Sequence, residues 1–157
     1  MKSYALIIMK PDALELDLVE TIIQRFLKEG FKIEMVGFKQ VDQYLILSHY
    51  TQVIDKLGEQ FKQMIIADFV GKSMMPVILS QNGKKAIENA RALTGATDPS
   101  ASLPGTIRGD YGVDSMKAAD REKRVCKNLV HCSDSRESFL TEMKLWFNQK
   151  TYDIFSV

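Results

Sequence analysis

From Tyr4 to Met9 the sequence reads YALIIM, without a charge, and then stops at Lys10-Pro11-Asp12. A run this short and this apolar has no polar face to turn to water. It therefore suits a strand buried on both faces, ended by a proline that has no N–H to donate. Lys10 stands where that strand stops. A lysine in such a place is usually solvated, yet after a buried strand it is placed to enter a cleft and meet a phosphate as a point charge. With 157 residues the chain is expected to form one domain, 1–157, that buries its core without staples. Its 21 basic and 20 acidic residues leave a net charge of +1, so no global field favours nucleic acid or a membrane as the main partner. Any anion site must be local. Cys126 and Cys132 allow at most one bridge, which suits a reducing cytoplasm. Ala5–Met9 is too short for a signal-peptide core, and a soluble cytoplasmic protein is the expectation.

Beyond Leu14, the residues Leu18, Ile22 and Phe26, flanked by Val19, Ile23 and Leu27, predict an amphipathic helix closed by Gly30 as a left-handed cap. Alternation over Phe31–Val41 predicts a second strand with a bulge at Gly37. Asp42–Tyr50 reads as a short helix that delivers Tyr50, with His49 on its surface. A longer apolar stripe follows over Ile54–Val70. Gly71-Lys72-Ser73 is not a phosphate loop, because Ile66 occupies the required glycine position and a helix precedes it. MPVILS, 75–80, is a strand with a turn at Asn82-Gly83. Ile87, Ala90 and Leu93 then form the apolar face of a helix that stops at Gly95. Residues 98–112 form a long proline- and glycine-rich loop, of the kind that is often functional. Asp114–Lys127 reads as an exposed, solvated helical insertion. Leu129 and Val130 are strand-like and lead through His131 into a helix, with Asp134 and Glu137 as a capping pair and Phe139, Met143 and Trp146 as the apolar edge. The tail after Phe147 carries no signal. This order fits an α+β sandwich: a four-stranded antiparallel sheet with helices packed on it, the ferredoxin-like arrangement.

Two residues stand out for chemistry. His131, at a strand-to-helix junction, has one ring nitrogen for reaction and one for a partner that fixes its tautomer. Arg108, between Gly105 and Gly109, can approach a phosphate bidentately. Four segments, IMKPD at 8–12, HY at 49–50, PGTIRGD at 104–110 and NLVHCSDS at 128–135, occur in order. Together they resemble the nucleoside diphosphate kinase family, over roughly Tyr4 to Trp146.

The resemblance implies the ferredoxin-like fold and transfer of a γ-phosphate between nucleoside tri- and diphosphates, ATP among them. His131 would be the nucleophile of a ping-pong cycle through phosphohistidine, with Glu142 orienting its ring and Ser133 assisting. Lys10, Arg91, Thr97 and Arg108 would hold phosphates, and Tyr50 would reach the histidine or a phosphate. Asn128 would take a sugar hydroxyl, and Val125 would lie against one face of the base. Broad base specificity is implied, because stacking reads no hydrogen-bond pattern. Mg2+ would ride on the nucleotide phosphates, with no protein ligand assigned. The family forms tetramers or hexamers, so a homo-oligomer is implied. Three departures appear: Asp98 replaces a more usual asparagine, the Arg-Pro-Phe-Phe element that supplies the base-stacking phenylalanine is missing, and Asp114–Arg124 is inserted. Phe61 is the nearest stacking candidate, with Phe69 behind it. Cys132 stands where glycine is common, directly after the nucleophile, where an exposed thiolate would be open to oxidation.

Two other classes compete. One is an inactive nucleotide-binding or assembly module of the same fold, against which stands the full set of motif residues. The other is a metal site built from Cys126, His131 and Cys132, which lacks a fourth ligand at zinc spacing.

Overall fold

The computed structural model describes residues 1–157. Strand β1 (Lys2–Met9) is followed by helices α1 (Pro11–Glu15) and α2 (Val19–Lys28), then strands β2 (Lys32–Val36) and β3 (Lys39–Gln40). Helices α3 (Gln43–His49), α4 (Thr51–Leu57) and α5 (Glu59–Phe69) lead to the long strand β4 (Ser73–Asn82) and helix α6 (Ala86–Thr94). A 3-10 turn (Pro99–Ala101), α7 (Ile107–Tyr111) and α8 (Met116–Glu122) precede β5 (Val130–Cys132), α9 (Arg136–Trp146) and α10 (Gln149–Phe155). The principal strands lie in the order β2-β4-β1-β5, every neighbouring pair antiparallel, while β3 pairs separately with β4. This is the α+β, ferredoxin-like sandwich. No helix is long and apolar enough to cross a membrane.

The unbroken apolar run of β1 follows from its central place in the sheet. Ala5, Ile7 and Met9 face one core with Ile22 and Phe26 of α2 and Ala86 and Ala90 of α6. Leu6 and Ile8 face a second core with Ile46 of α3, Ile65 and Phe69 of α5, and Phe139, Met143 and Trp146 of α9. Side chains alternate across a strand, so a strand covered on both sides must be apolar at every position.

Several elements divide where periodicity reads them as continuous. Asp17, with φ 54°, separates α1 from α2, and Gly58, with φ 85°, breaks the 54–70 stripe into α4 and α5. The predicted strand 31–41 is two strands, and its bulge lies between Ile33 and Met35 rather than at Gly37. Gly37 serves space instead, since a Cβ there would sit 3.0 Å from both Phe147 and Pro76. Ser135, not Asp134, caps α9 by accepting from the Ser138 backbone N–H at 3.1 Å. The silent tail forms α10, whose Phe155 meets Tyr4 edge-on at 5.3 Å.

The approach to β5 departs most from expectation. Leu129 is not extended: its φ is 72°, and the Val130 N–H donates to the Asn128 carbonyl at 2.8 Å, closing a γ-turn of the strained kind. Two buried bonds to the end of β1 hold it. The Lys10 N–H donates to the Leu129 carbonyl, and the Leu129 N–H donates to Asp12 Oδ2, each at 2.9 Å. The turn sets the register that pairs His131 with Ile8. Asp12→Ala strips a buried N–H of its acceptor and should destabilise the protein by about 1–3 kcal/mol in denaturant unfolding. Asp12→Asn, which keeps an amide oxygen there, should lose clearly less; equal losses would remove the hydrogen bond as the cause.

Candidate active site

His131 projects from β5 into a cleft of about 1040 Å3 walled by α3 to α5 on one side and by the 94–97 loop, α8 and the segment before β5 on the other. Its Nε2 lies 2.9 Å from Glu142 Oε2, and the Ser133 hydroxyl donates to the same oxygen at 2.5 Å. A carboxylate only accepts, so the imidazole carries a proton on Nε2, and in the neutral ring the lone pair then lies on Nδ1. Glu142 reaches His131 because α9 starts at Ser135 and runs back along the face of the sheet that holds Leu6 and Ile8.

Basic groups gather beside this ring. Lys10, only 5 % exposed, donates to Asn128 Oδ1 at 2.8 Å, and its Nζ lies 5.5 Å from the centre of the Phe69 ring. The Asn128 amide in turn donates to the Thr97 carbonyl at 3.0 Å, which ties the 97 loop to the strand ends. Arg108 is buried at 8 % exposure, and its three nitrogens donate to the carbonyls of Asn128, Gly95 and Val130 at 3.1, 3.2 and 2.6 Å. Five N–H groups minus three used leaves two for a ligand. Burial pulls this guanidinium below the ordinary arginine range, while it stays charged. Arg91 is exposed on α6 and reaches toward the Cys132 carbonyl at 3.5 Å. Lys10, Tyr50, Phe61, Arg91, Thr97, Arg108, Val125, Asn128, His131 and Glu142 thus share one cleft. Ser133 reaches it through Glu142.

The aromatic candidates separate. Phe61 is half-buried, lines the cleft and meets Tyr50 edge-on at 6.2 Å. Phe69 is core, stacked under Tyr50 at 5.7 Å.

His49 is the residue that the sequence misplaced. It is half-buried rather than on the surface, its ring meets His131 edge-on with centroids 4.5 Å apart, and the Trp146 indole N–H donates to its Nδ1 at 2.9 Å. Burial first, and then the neighbouring His131 ring and Lys10 ammonium, which disfavour a further positive charge, hold His49 well below the usual histidine range, so it is neutral. Glu142 and Trp146 are four residues apart on α9, one reaching each histidine. That i, i+4 spacing was the available signal.

His49, His131 and Glu142 bring three ligand atoms within 4.8 Å of one another. They do not form a ready metal site. An indole N–H can only donate, so the His49 lone pair on Nδ1 is taken and its other nitrogen is protonated. The set Cys126, His131 and Cys132 is not brought together either, because Cys132 faces the opposite core from His131.

Known proteins support what this geometry suggests. The family model for nucleoside diphosphate kinase matches residues 3–152. The nucleoside diphosphate kinase of Pyrococcus furiosus is 40% identical over 144 residues, covering 90% of this chain and 81% of that protein. That of Streptococcus pneumoniae is 40% identical over 141 residues, 89% and 96% of the two chains. Among solved structures, the Borrelia burgdorferi nucleoside-diphosphate kinase, a transition-state mimic with bound vanadate and ADP, superposes with a TM-score of 0.87 at 27% identity, covering 96% of this chain and 89% of that one. With its motif residues converging on one histidine and a family match over nearly its whole length, this chain belongs to the nucleoside diphosphate kinase family.

Proposed function

We propose that the chain, as a single domain, moves the γ-phosphoryl group of a nucleoside triphosphate to a nucleoside diphosphate through His131. The observation that carries this reading is the imidazole itself: Nε2 is fixed by Glu142 and Nδ1 is free at the floor of a cleft ringed by Lys10, Arg91 and Arg108. Phosphoryl transfer asks mainly for position and for charge opposite the equatorial oxygens. In the first half-reaction the Nδ1 lone pair bonds to the γ-phosphorus as the bond to the β,γ-bridging oxygen breaks, and the diphosphate departs with that electron pair. Glu142 stabilises the positive charge that the ring gains, and Ser133 holds Glu142. A second diphosphate then reverses the step. Lys10, Arg91, Thr97 and Arg108 hold the phosphates, with Tyr50 beside them; Asn128, already fixed by Lys10 and Thr97, meets the sugar.

Glu142 is committed to His131 and Ser133, and the cations Lys10, Arg91 and Arg108 in the cleft suit phosphate rather than a metal ion. Magnesium would therefore be held by phosphate oxygens and water, where it neutralises charge on the transferred group. A homo-oligomer, tetramer or hexamer, belongs to the same proposal. It is supported by Ile33, Val36 and Phe38, which are 41 %, 51 % and 63 % exposed on and beside the edge strand β2.

Brief incubation with γ-labelled ATP and Mg2+ should leave alkali-stable, acid-labile label on His131, discharged by any nucleoside diphosphate. His131→Ala should abolish labelling, and Glu142→Ala should slow it without eliminating it. ATP bound with no label taken up would turn the assignment to an inactive nucleotide-binding module. Because Phe61 lines the cleft where the family's stacking element is missing, Phe61→Ala should weaken nucleotide binding by roughly 1–3 kcal/mol for purines and pyrimidines alike. Unchanged KM values for all four bases would exclude it. Cys132 is not a redox handle: burial pushes its thiol up to about 12, which leaves almost no thiolate at neutral pH. Mild peroxide should inhibit the wild type and Cys132→Ala equally, and protection by the substitution would contradict this.

A further inference from the structure

The inserted segment 114–124 is helical and largely exposed, as its charges suggest, but it is also tied down at both ends. Asp114 clamps its far end by accepting from both terminal nitrogens of Arg124, at 2.6 and 2.9 Å, and from the Lys127 backbone N–H at 2.7 Å. Arg124 Nε donates to Glu122 at 2.5 Å, and Ser115 caps α8 through the Ala118 N–H at 3.1 Å. One foot is pinned to α5, where the Val125 N–H donates to Asp68 at 2.7 Å. The other stands beside the 97–98 loop, where the Met116 backbone N–H helps to lower Asp98, whose carboxylate is held chiefly by the Ser100 hydroxyl. Helix α8 therefore spans the mouth of the cleft as a fixed wall. Met116, Ala119 and Asp120, at helical spacing i, i+3 and i+4, all line that cleft.

The segment has three acidic residues, and two of them, Asp114 and Glu122, are committed to Arg124. Asp120 has no protein partner and lines the cleft, as do Phe61, Met64 and Val125. A nucleotide whose γ-phosphate meets His131 at the floor must leave its base at the outer end, between Phe61 and Val125 and under α8. We infer that Asp120 reads the hydrogen-bonding edge of that base and makes guanine nucleotides the preferred substrates, an inference that rests on the phosphotransfer reading above.

The chemistry is specific. An ionised carboxylate only accepts, and it accepts best through both oxygens from two adjacent donors. Guanine alone offers such a pair, its ring N1–H beside its 2-amino group. Adenine and cytosine present an amino group next to an acceptor nitrogen that repels the carboxylate. Uracil presents one N–H between two carbonyls. Hypoxanthine keeps N1–H and lacks the amine, so inosine nucleotides fall between guanine and adenine. Stacking on Phe61 gives every base a common affinity, and Asp120 adds discrimination on top of it.

The test compares GDP, IDP and ADP as acceptors, each with Mg2+, discharging phosphorylated protein freed of ATP. GDP should discharge it about tenfold faster than ADP at subsaturating concentration, with IDP between, the scale of one charge-assisted hydrogen-bonded pair to a carboxylate that is exposed until the base covers it. Asp120→Ala should bring the three rates to within about twofold of one another. Asp120→Asn, whose amide pairs a donor with an acceptor, should move the preference toward adenine. Wild-type GDP and ADP rates within twofold, or a guanine preference that survives Asp120→Ala, would overturn the inference while leaving phosphotransfer intact. Calorimetric Kd values for GDP and ADP on unphosphorylated protein should show the same ratio, and they decide the matter even if no phosphoprotein forms.

Discussion

Two buried cations without a carboxylate between them set the terms for this molecule. Lys10 rests on an amide oxygen and the face of Phe69, and Arg108 rests on three backbone carbonyls; neither forms an ion pair. Taking a charge out of water is costly unless it is paired, and dipoles offset only part of that cost. The fold keeps these charges half-answered, and an anion entering the cleft completes them. That is the preorganised electrostatics phosphoryl transfer needs, because the favourable partners are aimed before the charge develops. An aspartate beside either cation would relieve the burial cost and blunt the site.

The same two residues tie the architecture together. Lys10 ends the central strand, and its backbone and side chain both bind the Asn128–Leu129 segment, while Arg108 binds the carbonyls on either side of Leu129. Strand β5 is only three residues long and pairs with β1 alone, so the sheet ladder by itself holds it weakly. Side-chain bonds to backbone carry the rest. The groups proposed to bind phosphate are therefore also what fixes the strand of the proposed nucleophile, and substitution at either acts on charge and position together.

What the sequence disclosed follows from how each signal arises. The run Tyr4–Met9 is legible because burial on two faces leaves a mark in one short window, and the order of strands and helices followed from similar local marks. The motif residues were legible because their types and spacing recur together. What stayed hidden depends on partners far along the chain. His49 reads as a surface residue because helical periodicity says nothing of Trp146, its hydrogen-bond donor 97 residues later. Leu129 reads as strand because a positive φ at a branched residue has no local signal and is held by Asp12, 117 residues before it. The insertion is exposed, as its run of charges suggests, but only the fold separates the two acids bound to Arg124 from the one that is not.

These hidden contacts share a consequence for the imidazole. Glu142 fixes one edge of the His131 ring and His49 lies against it, itself held neutral and in one tautomer by the Trp146 N–H. A free histidine side chain turns about two bonds, and each turn removes Nδ1 from the line of attack. Bonding at one edge and packing by a second ring restrict both rotations, so little ordering remains for the reaction itself. The strained Leu129 turn belongs to the same arrangement, because it sets the height at which β5 delivers His131 beside Lys10 and Arg108. The β1 end tolerates that strain through paired buried bonds, and the return is a His131 ring held in one position before any phosphate arrives, as the proposed transfer requires.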